Sequence, residues 1–260
     1  MKLAITGKGG VGKTTLAALL AHLYAQEGRT VLAIDADPDA NLGSALGFST
    51  QELARIRPIA EMKELVAERL GVQPGQYGGM FTLNPRVDDI PDRFSAVRKG
   101  VKLLILGTIQ RGGAGCFCPE STLLKNLVRH LLVNRQEVII LDMEAGLEHL
   151  GRSTAAAVDA FIVVVEPGRR STQTAQAIQK LACDIGVTRI LIVGNKVRGA
   201  QDEAFIAQSL PGSEILGFLP YSPQAVESDR EGEAIYEAAP ELVERARAIK
   251  DRLEVAVGCS

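Results

Sequence analysis

"GKGGVGKT", residues 7–14, satisfies the pattern G-x-x-x-x-G-K-[ST]. An apolar run, "KLAIT" at 2–6, precedes it, and a helical pattern at 14–28 follows it. In such a strand–loop–helix unit, glycines let successive backbone N–H groups converge on phosphate oxygens, and the helix dipole adds positive potential. Lys13 would contact the β- and γ-phosphates, and the hydroxyl of Thr14 would bind Mg²⁺. We therefore predict a nucleotide site that is formed by Gly9, Gly10, Val11, Gly12, Lys13, Thr14 and Thr15.

Apolar runs and helical patterns alternate along most of the chain. The apolar runs are near-continuous, as in strands covered on both faces, and comprise "KLAIT" 2–6, "TVLAID" 30–35, "KLLILG" 102–107, "EVIILD" 137–142, "AFIVVVE" 160–166, "RILIVGN" 189–195 and "EILGFL" 214–219. Helical patterns separate most of them, at 14–28, 121–134, 171–186 and 204–210. This alternation predicts an α/β fold with a doubly wound, mostly parallel sheet of about seven or eight strands flanked by helices.

Residues 51–100 depart from this alternation. They contain a helical pattern near 61–70 and stretches rich in glycine, proline and aspartate. We interpret them as an insertion-like segment within a single domain that spans residues 1–260.

The composition narrows the class of protein. Of the 260 residues, 46% are hydrophobic and 23% charged, which allows a substantial core and a soluble surface. The net charge of −2 argues against a dedicated nucleic-acid binder, which usually carries a basic excess. No apolar run approaches the roughly 18 residues that span a bilayer, and the first residues enter a predicted strand directly. We therefore expect a cytoplasmic protein that binds neither nucleic acid nor a membrane.

The chain has four cysteines, and two of them lie one residue apart in "CFCPES", 116–121. Residues i and i+2 of an extended segment point to the same side, so Cys116 and Cys118 can face one ion. Thiolates favour Zn²⁺, Cu⁺, Ni²⁺ or an iron–sulfur cluster, and a closed site takes about four ligands. A homodimer with its two-fold axis beside this loop would supply the pair twice. We predict such a shared metal site, with two incidental loop cysteines as the alternative. Cys183, in a helical pattern, is interpreted as a small buried residue.

Two acidic stretches, "DADPDAN" 35–41 and "LDMEAGLEHL" 141–150, follow predicted strands, where ligands bind in open α/β sheets. Their aspartates could also be turn or helix-capping residues, and this interpretation suits Asp35 and Asp39 best.

The early lysine of "KGGVGKTT", Lys8, makes the loop resemble that of the deviant Walker A family. This family includes septum-site positioning ATPases, chromosome-partition ATPases, arsenite-pump ATPases and the nitrogenase iron protein. The resemblance implies that Lys8 crosses a dimer interface to the partner's nucleotide; otherwise Lys8 is an exposed loop lysine. It also implies that Asp37 orients the attacking water or touches the Mg²⁺ shell, that Asp142 is the Mg²⁺-linked carboxylate, and that Gly146 is a hinge.

The resemblance further implies where adenine binds. "VGNKV" 193–197 and "FLPYS" 218–222 match the positions at which the family holds the base. Asn195 would offer its amide, with Lys196 beside it, and the loop at Pro220 would supply backbone polar groups.

The motifs "KGGVGKTT", "IDADPDANLG", "CFCPES", "LDMEAGLEHL", "GNKVR" and "LPYS", in this order over nearly the whole chain, resemble those of the CooC-type ATPases. Those proteins assist nickel insertion into carbon monoxide dehydrogenase, and related members serve acetyl-CoA synthase. The resemblance implies a cytoplasmic homodimer that hydrolyses ATP to ADP and phosphate and binds Ni²⁺ or Zn²⁺ through the shared pair Cys116 and Cys118.

Three alternatives from other functional classes remain. An electron carrier like the nitrogenase iron protein bridges its cluster with two cysteines per subunit, but the position seven residues beyond Asp142 holds His149. A membrane-positioning ATPase like MinD needs a basic amphipathic C-terminal helix. The pattern at 241–255 is amphipathic, with Leu242, Ala246, Ile249 and Leu253 on one stripe, but its charges nearly balance. It therefore favours packing on the protein body. A DNA-partition ATPase would need a basic patch, and the two arginines of "GRRS" 168–171 alone do not indicate one.

Overall fold

The computed structural model of the chain describes residues 1–72, 81–107, 119–145 and 152–258. The described strands form one eight-stranded sheet in the order β3-β4-β2-β5-β1-β6-β7-β8. Their bounds are β1 Lys2–Gly7, β2 Val31–Asp35, β3 Ala96–Arg98, β4 Val101–Ile105, β5 Val138–Asp142, β6 Ala160–Val165, β7 Ile190–Val197 and β8 Glu214–Pro220. Every neighbouring pair is parallel except β3 with β4. The predicted fold class is confirmed, and all seven predicted strands are present.

The described helices flank this sheet. They are α1 Lys13–Gln26, α2 Leu42–Ala45, α3 Thr50–Leu53, α4 Lys63–Leu70, α5 Ile90–Phe94, α6 Pro119–Asn134, α7 Arg152–Ala155, α8 Arg169–Asp184, α9 Ala200–Ser209, α10 Pro223–Glu231, α11 Ile235–Ala238 and α12 Pro240–Gly258. A 3-10 turn, Ile59–Glu61, precedes α4. No helix in the described ranges is both long enough and apolar enough to cross a membrane.

The sheet separates two apolar layers. Because successive side chains of a strand point to opposite faces, Leu3 and Ile5 of β1 join one core cluster while Ala4 joins the other. The first cluster includes buried residues of α1, α11 and α12, and the second includes those of α4, α6 and α8. Both faces of the central strands are therefore covered, which explains why their sequences are apolar throughout.

Strand β3 was not predicted from the sequence. It has only three residues and turns into β4 through Lys99 and Gly100, whose φ angles are +45° and +83°. Two successive positive φ angles are typical of a two-residue hairpin turn, and this turn makes β3 the antiparallel edge strand of the sheet.

The C-terminal helix α12 packs on the body of the protein, as its balanced charge predicts. Its stripe of Leu242, Ala246, Ile249 and Leu253 is buried in the same cluster as α1. Lys250 is also buried, and its Nζ lies 2.7 Å from a carboxylate oxygen of Glu27. The stripe is thus part of the core.

The burial predicted for Cys183 is wrong. Helix α8 buries Ala175, Ile178 and Ala182, which recur at helical spacing on one face. Cys183 follows Ala182 by about 100° around the helix and is exposed.

Candidate nucleotide site

The phosphate loop leaves the sheet at the end of β1 and enters α1 at Lys13. Gly7 lies so close to β6 that a Cβ atom there would be 2.4 Å from the carbonyl oxygen of Val164. Gly10 and Gly12 have φ angles of +78° and +92°, in the left-handed region that favours glycine. The carbonyl of Gly12 accepts a 3.1 Å hydrogen bond from the N–H of Leu16, so the helix starts directly at the loop. The glycines are therefore required by the course of the backbone.

Thr14 and Asp142 meet beside this loop. The hydroxyl of Thr14 donates a 2.7 Å hydrogen bond to Oδ2 of Asp142, at the end of the neighbouring strand β5. Asp142 is fully buried, and its Oδ1 has no hydrogen-bond partner within the described part of the chain. A hydroxyl and a buried carboxylate with a free oxygen fit Mg²⁺, which usually takes one or two protein carboxylates together with phosphates and water. The described residues contain no group of three or more histidine, cysteine or acidic side chains that could by itself hold a metal ion, and a Mg²⁺ site of this kind needs none.

Lys13 and Asp37 form an ion pair at the same edge of the sheet. The Nζ of Lys13 lies 3.4 Å from Oδ2 of Asp37, and their side chains are only 6% and 15% exposed. The lysine predicted to bind phosphate is therefore held by the carboxylate predicted to act in catalysis.

Asp35 is a buried structural carboxylate, as its position suggested. Its Oδ2 accepts a 2.9 Å hydrogen bond from the N–H of Leu42, the first residue of α2, and its Oδ1 accepts a 3.2 Å bond from the N–H of Asp37. The side chain thus shapes the loop that carries Asp37.

The parallel register of β2 and β5 places Asp35 beside Asp142. Burial and, to a smaller extent, the charge of Asp142 raise the pKa of Asp35 to about 7, although the two backbone hydrogen bonds oppose the shift. Burial likewise raises the pKa of Asp142 to about 6, although the Thr14 hydroxyl and the charge of Lys13 oppose the shift. A cation at this edge would be strongly favoured by two carboxylates in a poorly solvated place.

Two consecutive side chains of β7 hold two consecutive carbonyls of the phosphate loop. The amide of Asn195 donates a 2.7 Å hydrogen bond to the carbonyl of Val11, and the Nζ of Lys196 donates a 2.5 Å bond to that of Gly10. Lys196 has a φ of +57°, uncommon for a residue with a side chain, and its Nζ also lies 3.6 Å from Glu166. These bonds turn the two carbonyls toward β7 and away from the phosphate side of the loop. The N–H of Val11 donates a 3.3 Å hydrogen bond to the carbonyl of Lys8, within the loop itself.

Sequence reasoning missed Glu166 as a residue of this site. It directly follows strand β6, and the rule that ligand-binding residues follow parallel strands would have indicated it. Pro220, predicted near adenine, ends β8 and lies opposite Val197, whose carbonyl accepts a 3.0 Å hydrogen bond from the N–H of Tyr221.

Some predicted residues have no counterpart in this geometry. Lys8 is half-buried, and its side chain forms no ion pair or hydrogen bond within the described ranges. Cys116 and Cys118, together with Gly146 and His149, lie outside the described residues.

The strand–loop–helix at the centre of a doubly wound sheet, with Lys13, Thr14 and Asp142 at its edge, defines a P-loop nucleotide-binding protein. The family described as CobQ/CobB/MinD/ParA nucleotide binding domain matches residues 2–235, so the chain belongs to this family. It is an ATPase.

Within this family, the chain is similar in sequence to individual proteins. The chain is 44% identical to the carbon monoxide dehydrogenase accessory protein CooC of Rhodospirillum rubrum, over 99% of this chain and 98% of that protein. It is also 44% identical to an uncharacterized ATP-binding protein of Methanocaldococcus jannaschii, over 90% of this chain and 91% of the relative. These matches confirm the resemblance to CooC-type ATPases.

The solved structure of the MinC:MinD cell division protein complex of Aquifex aeolicus is similar in fold. Its TM-score is 0.67, and the match covers 100% of this chain and 97% of that chain at 22% sequence identity. At this identity the likeness shows the fold alone.

Proposed function

We propose that this ATPase is a dimeric metallochaperone that assists nickel insertion into carbon monoxide dehydrogenase or acetyl-CoA synthase. The observation that carries the proposal is the 44% identity to CooC over 99% of the chain. The pair Cys116 and Cys118 supports it, because two thiolates per subunit suit a soft or borderline metal ion as cargo.

In the proposed ATPase cycle, the loop N–H groups and Lys13 bind the phosphates of ATP. Lys13 now pairs with Asp37, and the β- and γ-phosphates would draw it away. The carboxylate of Asp37 is then free to orient the attacking water. Thr14, Asp37 and Asp142 would hold Mg²⁺, which neutralises the phosphate charge during transfer.

The residues proposed to contact adenine lie at the same edge of the sheet as the phosphate loop. Asn195 and Lys196 would lie near the adenine ring, and the loop at Pro220 would offer it backbone groups. Since the amide of Asn195 is bonded to the carbonyl of Val11, the same side chain would tie the base to the phosphate loop.

Lys8 would complete the site of the partner subunit. It lies in the phosphate loop without an ion pair in the described part of the chain, so its charge is available to a phosphate across an interface. ATP would thereby draw two subunits together, and hydrolysis would release them.

The course of the chain supports coupling between nucleotide and metal. Strands β1, β4 and β5 are members of the same parallel set, so Gly7, Ile105 and Asp142 end at one edge of the sheet. The chain leaves β4 at this edge to enter the segment with Cys116 and Cys118. A change at the nucleotide would therefore reach the start of this segment at Gly107, at the same edge of the sheet.

Metal titration on an anaerobic, reduced preparation tests the shared site. We expect one Ni²⁺ or Zn²⁺ per dimer, and the double substitution Cys116→Ser/Cys118→Ser should abolish tight binding because it removes all four thiolates. Cys183→Ser is the matched control, since that cysteine is exposed on α8 and should leave stoichiometry unchanged. Tight binding of one ion per monomer, with mass measured in parallel, would contradict the shared site.

Activation of a client tests the function. Nickel-free carbon monoxide dehydrogenase, incubated with Ni²⁺, ATP and this protein, should gain more activity than with Ni²⁺ alone. The Lys13→Ala variant should give no gain. Equal activation by wild type and variant would show that ATP hydrolysis has no part in the process.

A further inference from the structure

A groove of about 520 Å³ runs along the β3 edge of the sheet. Its apolar lining comes from both layers of the protein: Phe48, Ile56 and Ala96 belong to one core cluster, while Met62 and Phe94 belong to the other. The groove therefore opens at the rim of the sheet, between the two layers, where a further strand would lie.

The edge strand has backbone groups that face this groove. The turn at Lys99–Gly100 makes Arg98 and Val101 the hydrogen-bonded pair that closes the hairpin. Hydrogen-bonded and non-hydrogen-bonded pairs alternate in antiparallel ladders, so the N–H and C=O of Val97 point away from β4. The side chain of Val97 is 65% exposed. An incoming strand would thus find one free donor and one free acceptor.

The rim of the groove is positively charged. Arg55 is exposed and forms no ion pair among the described residues. Arg57 is 63% exposed, and its one described ion pair is a long one, 3.9 Å from Glu64, which is 81% exposed. Arg93 adds a third guanidinium, although Asp89 holds it. Among the described residues that line the groove, Glu52 is the one acidic residue, and it already accepts hydrogen bonds from Ser49 and Arg98.

A buried hydroxyl in the groove is unsatisfied. The Oγ of Ser95 is buried and has no hydrogen-bond partner within the part of the chain that the structure describes. Because Ser95 lines the groove, a change of its rotamer would let the hydroxyl donate to a backbone carbonyl lying there. An orphaned buried polar atom is otherwise unfavourable.

We infer that this groove docks an extended, acidic polypeptide segment of another protein. The segment adds to the free edge of β3, and its carboxylates pair with Arg55 and Arg57. A second copy of this chain is disfavoured as the occupant, because a two-fold contact through this edge would set the same arginines against one another. Since β3 is short, the arginines contribute much of the affinity and all of the preference for acidic sequence.

Fluorescence anisotropy with defined peptides tests the inference. The probe is a fluorescein-labelled ten-residue peptide of alternating glutamate and threonine, at low salt. We expect saturable binding, weakened about tenfold or more by Arg55→Glu/Arg57→Glu, since each of the two substitutions replaces an attraction at the surface by a repulsion. The matched control is Arg230→Glu/Arg247→Glu, which changes the net charge equally at exposed positions of α10 and α12 and should leave binding unchanged.

Two further probes separate strand addition from simple charge attraction. The same peptide with N-methyl groups at alternate residues keeps its charge but loses its edge donors, so it should bind much more weakly. Equal binding of the methylated peptide overturns strand addition. An equal loss in both arginine variants, or equal competition by a ten-nucleotide single-stranded DNA, overturns the docking site. Unchanged ATPase activity in the groove variant shows that it is folded.

Discussion

Replacing Gly12 by alanine would place a methyl group where the side chain of Asn195 now lies. The new Cβ would be 2.0 Å from the amide nitrogen of Asn195, far inside van der Waals contact. Asn195 would have to move, and its 2.7 Å hydrogen bond to the carbonyl of Val11 would break. The variant therefore tests whether β7 holds the phosphate loop.

The structure allows the magnitude to be separated into two parts. Alanine in a left-handed conformation costs roughly 1 kcal/mol relative to glycine. Loss of the buried hydrogen bond adds roughly 1–3 kcal/mol, because it leaves both the Asn195 amide and the Val11 carbonyl without their partner. We expect Gly12→Ala to lower the free energy of unfolding by about 3 kcal/mol in total, or about 6–12 °C in Tm.

Gly10→Ala is the matched control for this prediction. Gly10 has a similar φ of +78°, but a Cβ there would meet nothing within 4 Å, so only the backbone strain of about 1 kcal/mol remains. Urea denaturation without nucleotide measures both variants. In an Asn195→Ala background, Gly12→Ala should cost no more than Gly10→Ala. Equal losses for the two glycine variants in the wild-type background, or no relief from Asn195→Ala, would refute the reasoning.

Three other outcomes are expected. Lys13→Ala should abolish ATP hydrolysis. Lys8→Ala should keep nucleotide binding but lose ATP-driven dimerisation and much of the turnover, because it removes a charge-assisted contact worth roughly 1.5–3 kcal/mol. A Lys8 variant that dimerises and hydrolyses ATP at the wild-type rate would contradict the role of Lys8 across the interface. Asp142→Asn should reduce Mg²⁺-dependent turnover at least tenfold and leave metal binding at the cysteines unchanged, and thermal melts would detect misfolding. An equal loss of turnover and of metal binding in a folded variant would contradict separate sites. Because the pKa of Asp35 is raised from 3.8 to about 7, the folded protein binds more protons than the unfolded chain between these pH values. The contribution of Asp35 to the free energy of unfolding should then fall by roughly 2–4 kcal/mol as pH rises from 4 to 7, without Mg²⁺ or nucleotide. Because the pKa of Asp142 is also raised, to about 6, Asp35→Asn should reduce but not abolish the difference in unfolding free energy between pH 5 and pH 8, measured by urea denaturation. An unchanged difference would contradict the raised pKa of Asp35.

Local patterns predicted the nucleotide loop and the sheet. The spacing of Gly7, Gly12 and Lys13 is a property of eight consecutive residues, and the glycines are required by backbone angles within that stretch. The apolar runs likewise predicted seven strands, because strands covered on both faces need no polar alternation. β3 was missed because three residues with one exposed valine carry no such run.

The shared metal site at Cys116 and Cys118 and the extent of the single domain stay predictions. The metal site depends on two subunits, and its cysteines lie outside the described ranges.

The sequence by itself determined the class of site, whereas only the tertiary structure decided which side chains meet there. The ion pair of Lys13 with Asp37 joins residues 24 positions apart, and the bond of Asn195 to Val11 spans 184 positions. The basic groove likewise exists only because residues near 55 and 95 converge on one edge of the sheet. Strand order and register set such contacts, and both result from how all the apolar faces pack together, which no short stretch of residues specifies.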